Sequence, residues 1–317
     1  MQTRDTQILS PDAAGLERAA AILARGGLVS FPTETVYGLG ADARQGRAVA
    51  DIFAAKNRPS FNPLIVHVAT LDQARRHARI EGDALRLAHT FWPGPLTLVV
   101  PLTDTHGLSD LVTAGLPTVG LRMPDHPVAR GLLSALDGPV AAPSANPSGR
   151  ISPTTAAHVL AGLNGRIDAV IDAGPCQVGL ESTIVGFDKG APVLLRPGGL
   201  PAEVIEAALN QALIRWEDGS AISAPGQLSS HYAPKASVRL NADAPQKGEL
   251  YLGFGAKDGD MTLSPSGDLS EAAANLFACL HALDAKGQPI AVAPIPDTGL
   301  GRAINDRLKR AAAPRKL

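Results

Sequence analysis

Cysteine is nearly absent: Cys176 and Cys279 are the only two in 317 residues, and so sparse and distant a pair excludes a disulfide framework or a zinc finger. Aromatic residues are few, at 4%. No run approaches the ~18 uninterrupted apolar residues of a membrane span. The opening MQTRDTQILSPD lacks the apolar core of a secretory leader, so the expectation is a reduced, cytoplasmic, enzyme-like protein with no membrane partner. Net charge is missing too. Lys and Arg number 29 against 30 Asp and Glu, a formal charge of −1. The overall basic field of a non-specific nucleic-acid binder is therefore lacking, and any positive site must be local.

The strong short signatures are also missing: no G-x-x-x-x-G-K-[ST] phosphate loop, no G-x-S-x-G elbow, no H-E-x-x-H and no C-x-x-C. Gly299-Leu300-Gly301 falls between a strand and a helix, but Ile304 stands where a dinucleotide fingerprint needs its third small residue, so a tight turn is the expected use. What the chain has is 45% hydrophobic residues, enough for a sizeable core, with 32 Gly and 26 Pro that belong in many tight loops. Its length predicts about two domains.

Periodicity and punctuation predict an α/β first domain. Ser10-Pro11-Asp12 should start a helix that stops at Gly26-Gly27, followed by a strand over 28–31. A helix carrying Val49, Ile52 and Phe53 on one face leads to Lys56-Asn57-Arg58-Pro59 and a strand over 64–68. Further strands fit 96–102, 119–122, 140–142, 169–172, 182–187 and 193–195, with helices near 83–90, 127–136, 153–162 and 201–213. Several strands lie too close for the crossover that parallel pairing needs, so the sheet should be mixed. Residues 220–235 read as a polar linker. Beyond it, strands over 249–254 and 290–295 and helices over 270–283 and 302–312 suggest a small second α/β domain.

Polar segments stand just before or after the strands of the first domain, where loops meet outside strand ends and ligands bind. They are 32–38, 56–59, Arg122, 143–146, 181–183 and 195–199. Lys56 and Arg58 suit a polyphosphate, although a solvated helix end with favourable dipole charge explains them as well. Arg122 and Arg196, each ending an apolar strand, can grip carboxylate or phosphate bidentately or serve in structural pairing. His67 reads first as a core histidine satisfied by a backbone carbonyl. Turn chemistry suffices for Ser144 and Asn146. Ser182 and Thr35 read as ordinary strand-edge hydroxyls, and His231-Tyr232 as cover for an apolar patch. The basic residues Arg302, Arg307, Lys309 and Arg310 read as a solvated helix end.

Taken in order, FPTETVYGLG, KNRP, LIVH, WPGPLT, GLRMPDHP, APSANPSG, ESTIV and LRPGG resemble the YrdC-type threonylcarbamoyl-AMP synthases over roughly residues 15 to 210. SAPGQLSSHYAPKA and the α/β tail resemble the two-domain branch. The resemblance implies a YrdC-like twisted mixed sheet with flanking helices over 1–218, a linker over 219–238 that folds across the site, and a Rossmann-like α/β domain over 239–317. It implies that L-threonine, bicarbonate and ATP give L-threonylcarbamoyl-adenylate, diphosphate and water. That product would feed a downstream transferase complex modifying the adenosine next to the anticodon of tRNAs reading ANN codons.

By motif, Lys56, Arg58, Ser144 and Asn146 would be the catalytic set around the phosphates. Arg58, Asn62, Thr118, Ser144, Ser152, Arg196 and Tyr232 would contact ATP. Thr35, His67, Arg122, Ala142 (through its backbone) and Ser182 would hold threonine. Mg²⁺ would arrive with ATP, with no tightly bound cofactor and no stable direct tRNA binding. A competing class is an RNA-binding module without catalysis, against which the net charge argues. Carbamoyl transfer in hydrogenase maturation, the third, belongs to larger proteins with zinc-finger cysteines.

Overall fold

A computed structural model describes residues 4–59, 61–215 and 231–314. Most of the expected linker, 219–230, lies outside them. The large unit begins β1 (Gln7–Leu9), α1 (Ala13–Ala24), β2 (Val29–Phe31), β3 (Gly38–Asp42), α2 (Gly46–Lys56), β4 (Ile65–His67), α3 (Leu71–His77) and α4 (Gly82–Phe91). It continues through β5 (Leu96–Pro101), α5 (Asp110–Thr113), β6 (Thr118–Arg122), α6 (Pro127–Leu136), β7 (Val140–Ala141), α7 (Ala156–Leu163) and β8 (Ala169–Ile171). β9 (Thr183–Asp188), β10 (Ala191–Arg196), α8 (Ala202–Leu209) and β11 (Ile214–Arg215) complete it. The small unit holds β12 (Val238–Arg239), β13 (Leu250–Gly253), β14 (Met261–Thr262), α9 (Leu269–Asp284), β15 (Ile290–Val292) and α10 (Leu300–Ala312).

Among the described residues, eleven strands of the large unit form one sheet in the order β1-β8-β2-β3-β7-β4-β6-β5-β9-β10-β11. It is mixed, as the short strand spacings required: β4 and β6 are parallel, β5 is antiparallel to β6, and β9 runs parallel to β5. The small unit carries a parallel sheet, β12-β15-β13-β14.

Local chemistry explains most element ends. Asp12 accepts from Gly15 N at 2.8 Å and starts α1, a cap that contributes about 1 kcal/mol. Thr155 caps α7 through His158 N, so that helix starts later than its apolar pattern suggests. Asn210, at φ 53°, stops α8 short of the expected 213. β3 was not among the expected strands, and Gly38-Leu39-Gly40 is weak strand sequence. Packing overrides propensity there: a Cβ on Gly40 would sit 2.8 Å from the Phe31 ring and 2.9 Å from Val140. Gly301 likewise presses on the Pro296 carbonyl, which makes Gly299-Leu300-Gly301 a packing turn.

The cores of the two units are not separate. Val36, Ile151, Leu180 and Tyr232 cluster with Leu276, Phe277 and Ile304 of the small unit, so the small unit closes over loops at one end of the large sheet. Arg307 corrects the solvated-helix-end expectation. It has no exposed side-chain surface and lies on the apolar stripe of α10 with Ile304 and Ala311.

Candidate active site

The sheet order brings distant loops together. The β4–β6 register sets His67 beside Arg122 at the carboxyl ends of two parallel strands. β9 starts and β10 ends at that same sheet end, which delivers Glu181, Ser182 and Arg196. Gly38, at the start of β3, is bridged to Ser144, just past the end of β7. The result is a hollow of about 570 Å³, open mouth included. Among its lining are Thr35, Arg58, His67, Arg122, Ala142, Ser144, Glu181, Ser182, Arg196, His231 and Tyr232.

Each guanidinium is held by the chain itself. Arg122 donates to Glu34 Oε1 at 2.6 Å, to Thr35 Oγ1 at 2.9 Å and to the Gly94 carbonyl at 3.2 Å. Arg196 donates to the Ser182 carbonyl at 2.8 Å and to its hydroxyl at 3.3 Å. Ser182 Oγ shares a 2.7 Å hydrogen bond with Thr97. Arg58 donates to the carbonyls of Asn62 and Pro63 and has no carboxylate partner among the described residues. Burial, with the charge of Arg196, pushes Arg58 down to about 10, still cationic at neutral pH. Gly198 has no room for a side chain: a Cβ would lie 2.4 Å from the backbone of Glu181, Ser182 and Thr183.

Every residue of the expected threonine set lines the hollow: Thr35, His67, Arg122, Ala142 and Ser182. Of the expected nucleotide set, Arg58, Ser144, Arg196 and Tyr232 line it. Asn62 is buried beneath Arg58, and Ser152 donates to Glu181, which lines the wall. Thr118 begins β6, at the opposite end of that strand from Arg122, and forms no part of the lining. Lys56 is neither a solvated helix end nor exposed to the hollow. It is 1% exposed and donates to the carbonyls of Ser144 and Asn146, fixing the turn between them. Burial and neighbouring Arg58 push its ammonium well below the ordinary lysine range.

His67 is a buried histidine that backbone groups of Ile65 and Val140 hydrogen-bond, as the simpler expectation had it, but only in part. Its Nδ1 is buried without a hydrogen-bond partner among the described residues, as is that of His231. Burial pushes both imidazoles down to about 3, with Arg122 adding to the effect at His67, so both are neutral at physiological pH. Asn62 Oδ1 and Asn146 Oδ1 are likewise orphaned. A buried polar atom left so is costly, and the two histidines, which line the hollow, suit a polar guest.

Two acids escaped the expected residue sets. Glu34 pairs with Arg122 and accepts from Asp125 N. Glu181 bonds Ser152 with one oxygen and Arg307 with the other. Arg307 itself was legible as a charged residue on an otherwise apolar 3–4 stripe.

The family described as "Telomere recombination" (Sua5, YciO and YrdC) matches residues 21–198. "Threonylcarbamoyl-AMP synthase, C-terminal domain" matches residues 200–313. The chain is 40% identical to the threonylcarbamoyl-AMP synthase of Pyrococcus abyssi, covering 93% of each chain. It is 40% identical to that of Bacillus subtilis over 98% of this chain and 96% of the relative. The crystal structure of P. abyssi Sua5 complexed with L-threonine superposes with a TM-score of 0.90 at 38% identity, covering 97% of this chain and 98% of that one. With both halves matched and near full-length relatives at this identity, the chain belongs to the threonylcarbamoyl-AMP synthase family in its two-domain form.

Proposed function

We propose that this chain condenses L-threonine, bicarbonate and ATP into L-threonylcarbamoyl-adenylate, with diphosphate and water as the other products. The observation that carries the reading is the convergence of Arg58, Arg122 and Arg196 on one hollow. The reaction unites an amino-acid carboxylate, a carbamate and a triphosphate, and three fixed cations offset that charge. The threonine amine takes up carbon dioxide or bicarbonate to become a carbamate. A carbamate oxygen then forms a bond to the α-phosphorus as the bond to diphosphate breaks. Such chemistry asks for positioning and charge stabilisation rather than a protein nucleophile.

In this reading Arg122, steadied by Glu34, takes the threonine carboxylate, and Thr35 and Ser182 discriminate its side chain by hydrogen bonding. His67, neutral and with an orphaned ring nitrogen, is a hydrogen-bonding partner rather than a proton store at neutral pH. Arg58 and Arg196 face the phosphates. Lys56 and Asn146 act from behind by shaping the turn that presents Ser144. Asn62, Ser152 and Tyr232 complete the nucleotide side, with Thr118 assigned to it by motif alone. Tyr232, at the end of the linker, walls the hollow against water.

Mg²⁺ would accompany ATP. No group of three or more His, Cys, Asp and Glu converges among the described residues. The two acids at the hollow, Glu34 and Glu181, are each engaged by a guanidinium. That donor set fits an ion carried by the triphosphate and neutralising it there. No described helix is long and apolar enough to cross a membrane, and we place the reaction in the cytoplasm, upstream of the transferase complex that modifies tRNA.

The decisive experiment incubates the protein with labelled ATP, bicarbonate and each amino acid in turn. Diphosphate release stimulated by threonine above all others is the expected result; release indifferent to the amino acid overturns the assignment.

A further inference from the structure

The residue tying the small unit to the hollow is Arg307. Its Nε donates to Glu181 Oε2 at 2.7 Å, across 126 positions of sequence, and its Nη1 donates to Asp306 Oδ2 at 2.6 Å. Its guanidinium carbon stands 5.1 Å from the centre of the Tyr232 ring, within cation–π range. The same ring also stacks with Phe277 of α9, 5.7 Å away between centroids. The remaining Nη2 is buried and has no partner among the described residues. A wholly buried guanidinium is expensive, and this one is spent on two residues that line the hollow, Glu181 and Tyr232.

Glu181 poses an electrostatic problem. It is 6% exposed and lines the same hollow as Arg58 and Arg196, so an uncompensated negative charge there would repel a nucleotide. Burial alone would raise its carboxyl. The charges of Arg307 and Arg196, with the Ser152 hydrogen bond, outweigh burial and hold it below the ordinary carboxylate range. Without Arg307, the burden of neutralising Glu181, now shared, would fall on Arg196 alone.

We propose that Arg307, supplied by the small unit, is a positioning residue of the nucleotide site: it takes up most of the charge of Glu181 and braces Tyr232, so that the positive field of Arg58 and Arg196 is available to an anionic nucleotide. The proposal rests on the reading of the hollow as a nucleotide site. It gives the small unit a task in the reaction itself: one buried charge that balances the wall opposite.

The test uses the full chain and three variants, Arg307→Met, Arg307→Lys and the double variant Glu181→Gln with Arg307→Met. ATP binding is measured by calorimetry, KM for ATP and for threonine by diphosphate release, and folding by thermal melts. Arg307→Met should weaken ATP binding and raise KM for ATP by roughly tenfold or more, while KM for threonine moves less than about twofold. Arg307→Lys should fall between it and the parent. The double variant removes both buried charges together and should regain ATP affinity to within about threefold of the parent. It also keeps the test alive if Arg307→Met does not fold.

Equal losses toward both substrates would reduce Arg307 to a structural role and overturn the proposal. So would a folded double variant that binds ATP as poorly as Arg307→Met. A parent protein that binds ATP yet shows no threonine-dependent turnover would sink the synthase reading and leave the Arg307 binding test standing. A parent that binds no ATP would sink both.

Discussion

Two buried guanidinium–carboxylate pairs each put one member, Arg122 or Glu181, in the wall of the hollow, and they differ in what must assemble before each exists. Arg122–Glu34 is internal to the large unit: the partners of both residues, Thr35, Gly94 and Asp125, come from loops of the same sheet end. Arg307–Glu181 spans the two units and is shared with Asp306. In the proposed reading the amino-acid side is therefore preorganised by one sheet, whereas the nucleotide side is finished only when α10 docks. The difference teaches where each half of the reaction takes its rigidity from.

The largest expected effect probes the nucleotide side directly. Arg58→Ala should lower threonine-dependent diphosphate release by about 10²–10³-fold while circular-dichroism melts stay within a few degrees of the parent. Near-normal turnover would remove one half of the comparison.

The two pairs can then be set against each other in urea. Glu34→Gln strips Arg122 of its only ion pair among the described residues and should cost about 3–5 kcal/mol. Glu181→Gln leaves Arg307 its second carboxylate, Asp306, and should cost less, about 1–3 kcal/mol. Equal losses would erase the distinction between a pair made within one unit and a pair shared between two.

The smallest effect is acid sensitivity, which each side of the hollow carries on one histidine. His67 and His231 have ordinary values of 6.5 and sit at about 3 when folded. Above pH 6.5 neither state binds the proton and nothing is lost. Between 6.5 and 3 the unfolded chain takes up protons that the folded one refuses, so stability falls as pH falls, by about 1.4 kcal/mol per unit for each ring. His67→Gln and His231→Gln should each shrink the stability difference between pH 7 and pH 5 by about 2 kcal/mol, read from urea midpoints at the two pH values.

Much of this was readable from the chain alone. The helix from Asp12, the strand bearing His67 and the polar loops at strand ends follow from caps, periodicity and punctuation, and so does the prospect that those loops meet. The family resemblance named the threonine set, every member of which lines the hollow. Three things were hidden, each for a physical reason. β3 is held by packing against Phe31 and Val140, which glycine propensity cannot announce. Lys56 turns inward because the Ser144–Asn146 turn, nearly ninety residues on, offers it carbonyls. The partners of Arg122 and Arg307 depend on sheet order and domain docking, which residue spacing does not encode.

Gly198 has a consequence for anyone wishing to retool this pocket. With no gap between its backbone and the start of β9, the loop carrying Arg196 and the strand end carrying Ser182 form a single welded plate. A methyl group at 198 would pry that plate apart by an ångström or more and spoil both grips at once. Room for altered selectivity lies instead on the bank around Thr35, where a side chain rather than tightly packed main chain lines the hollow.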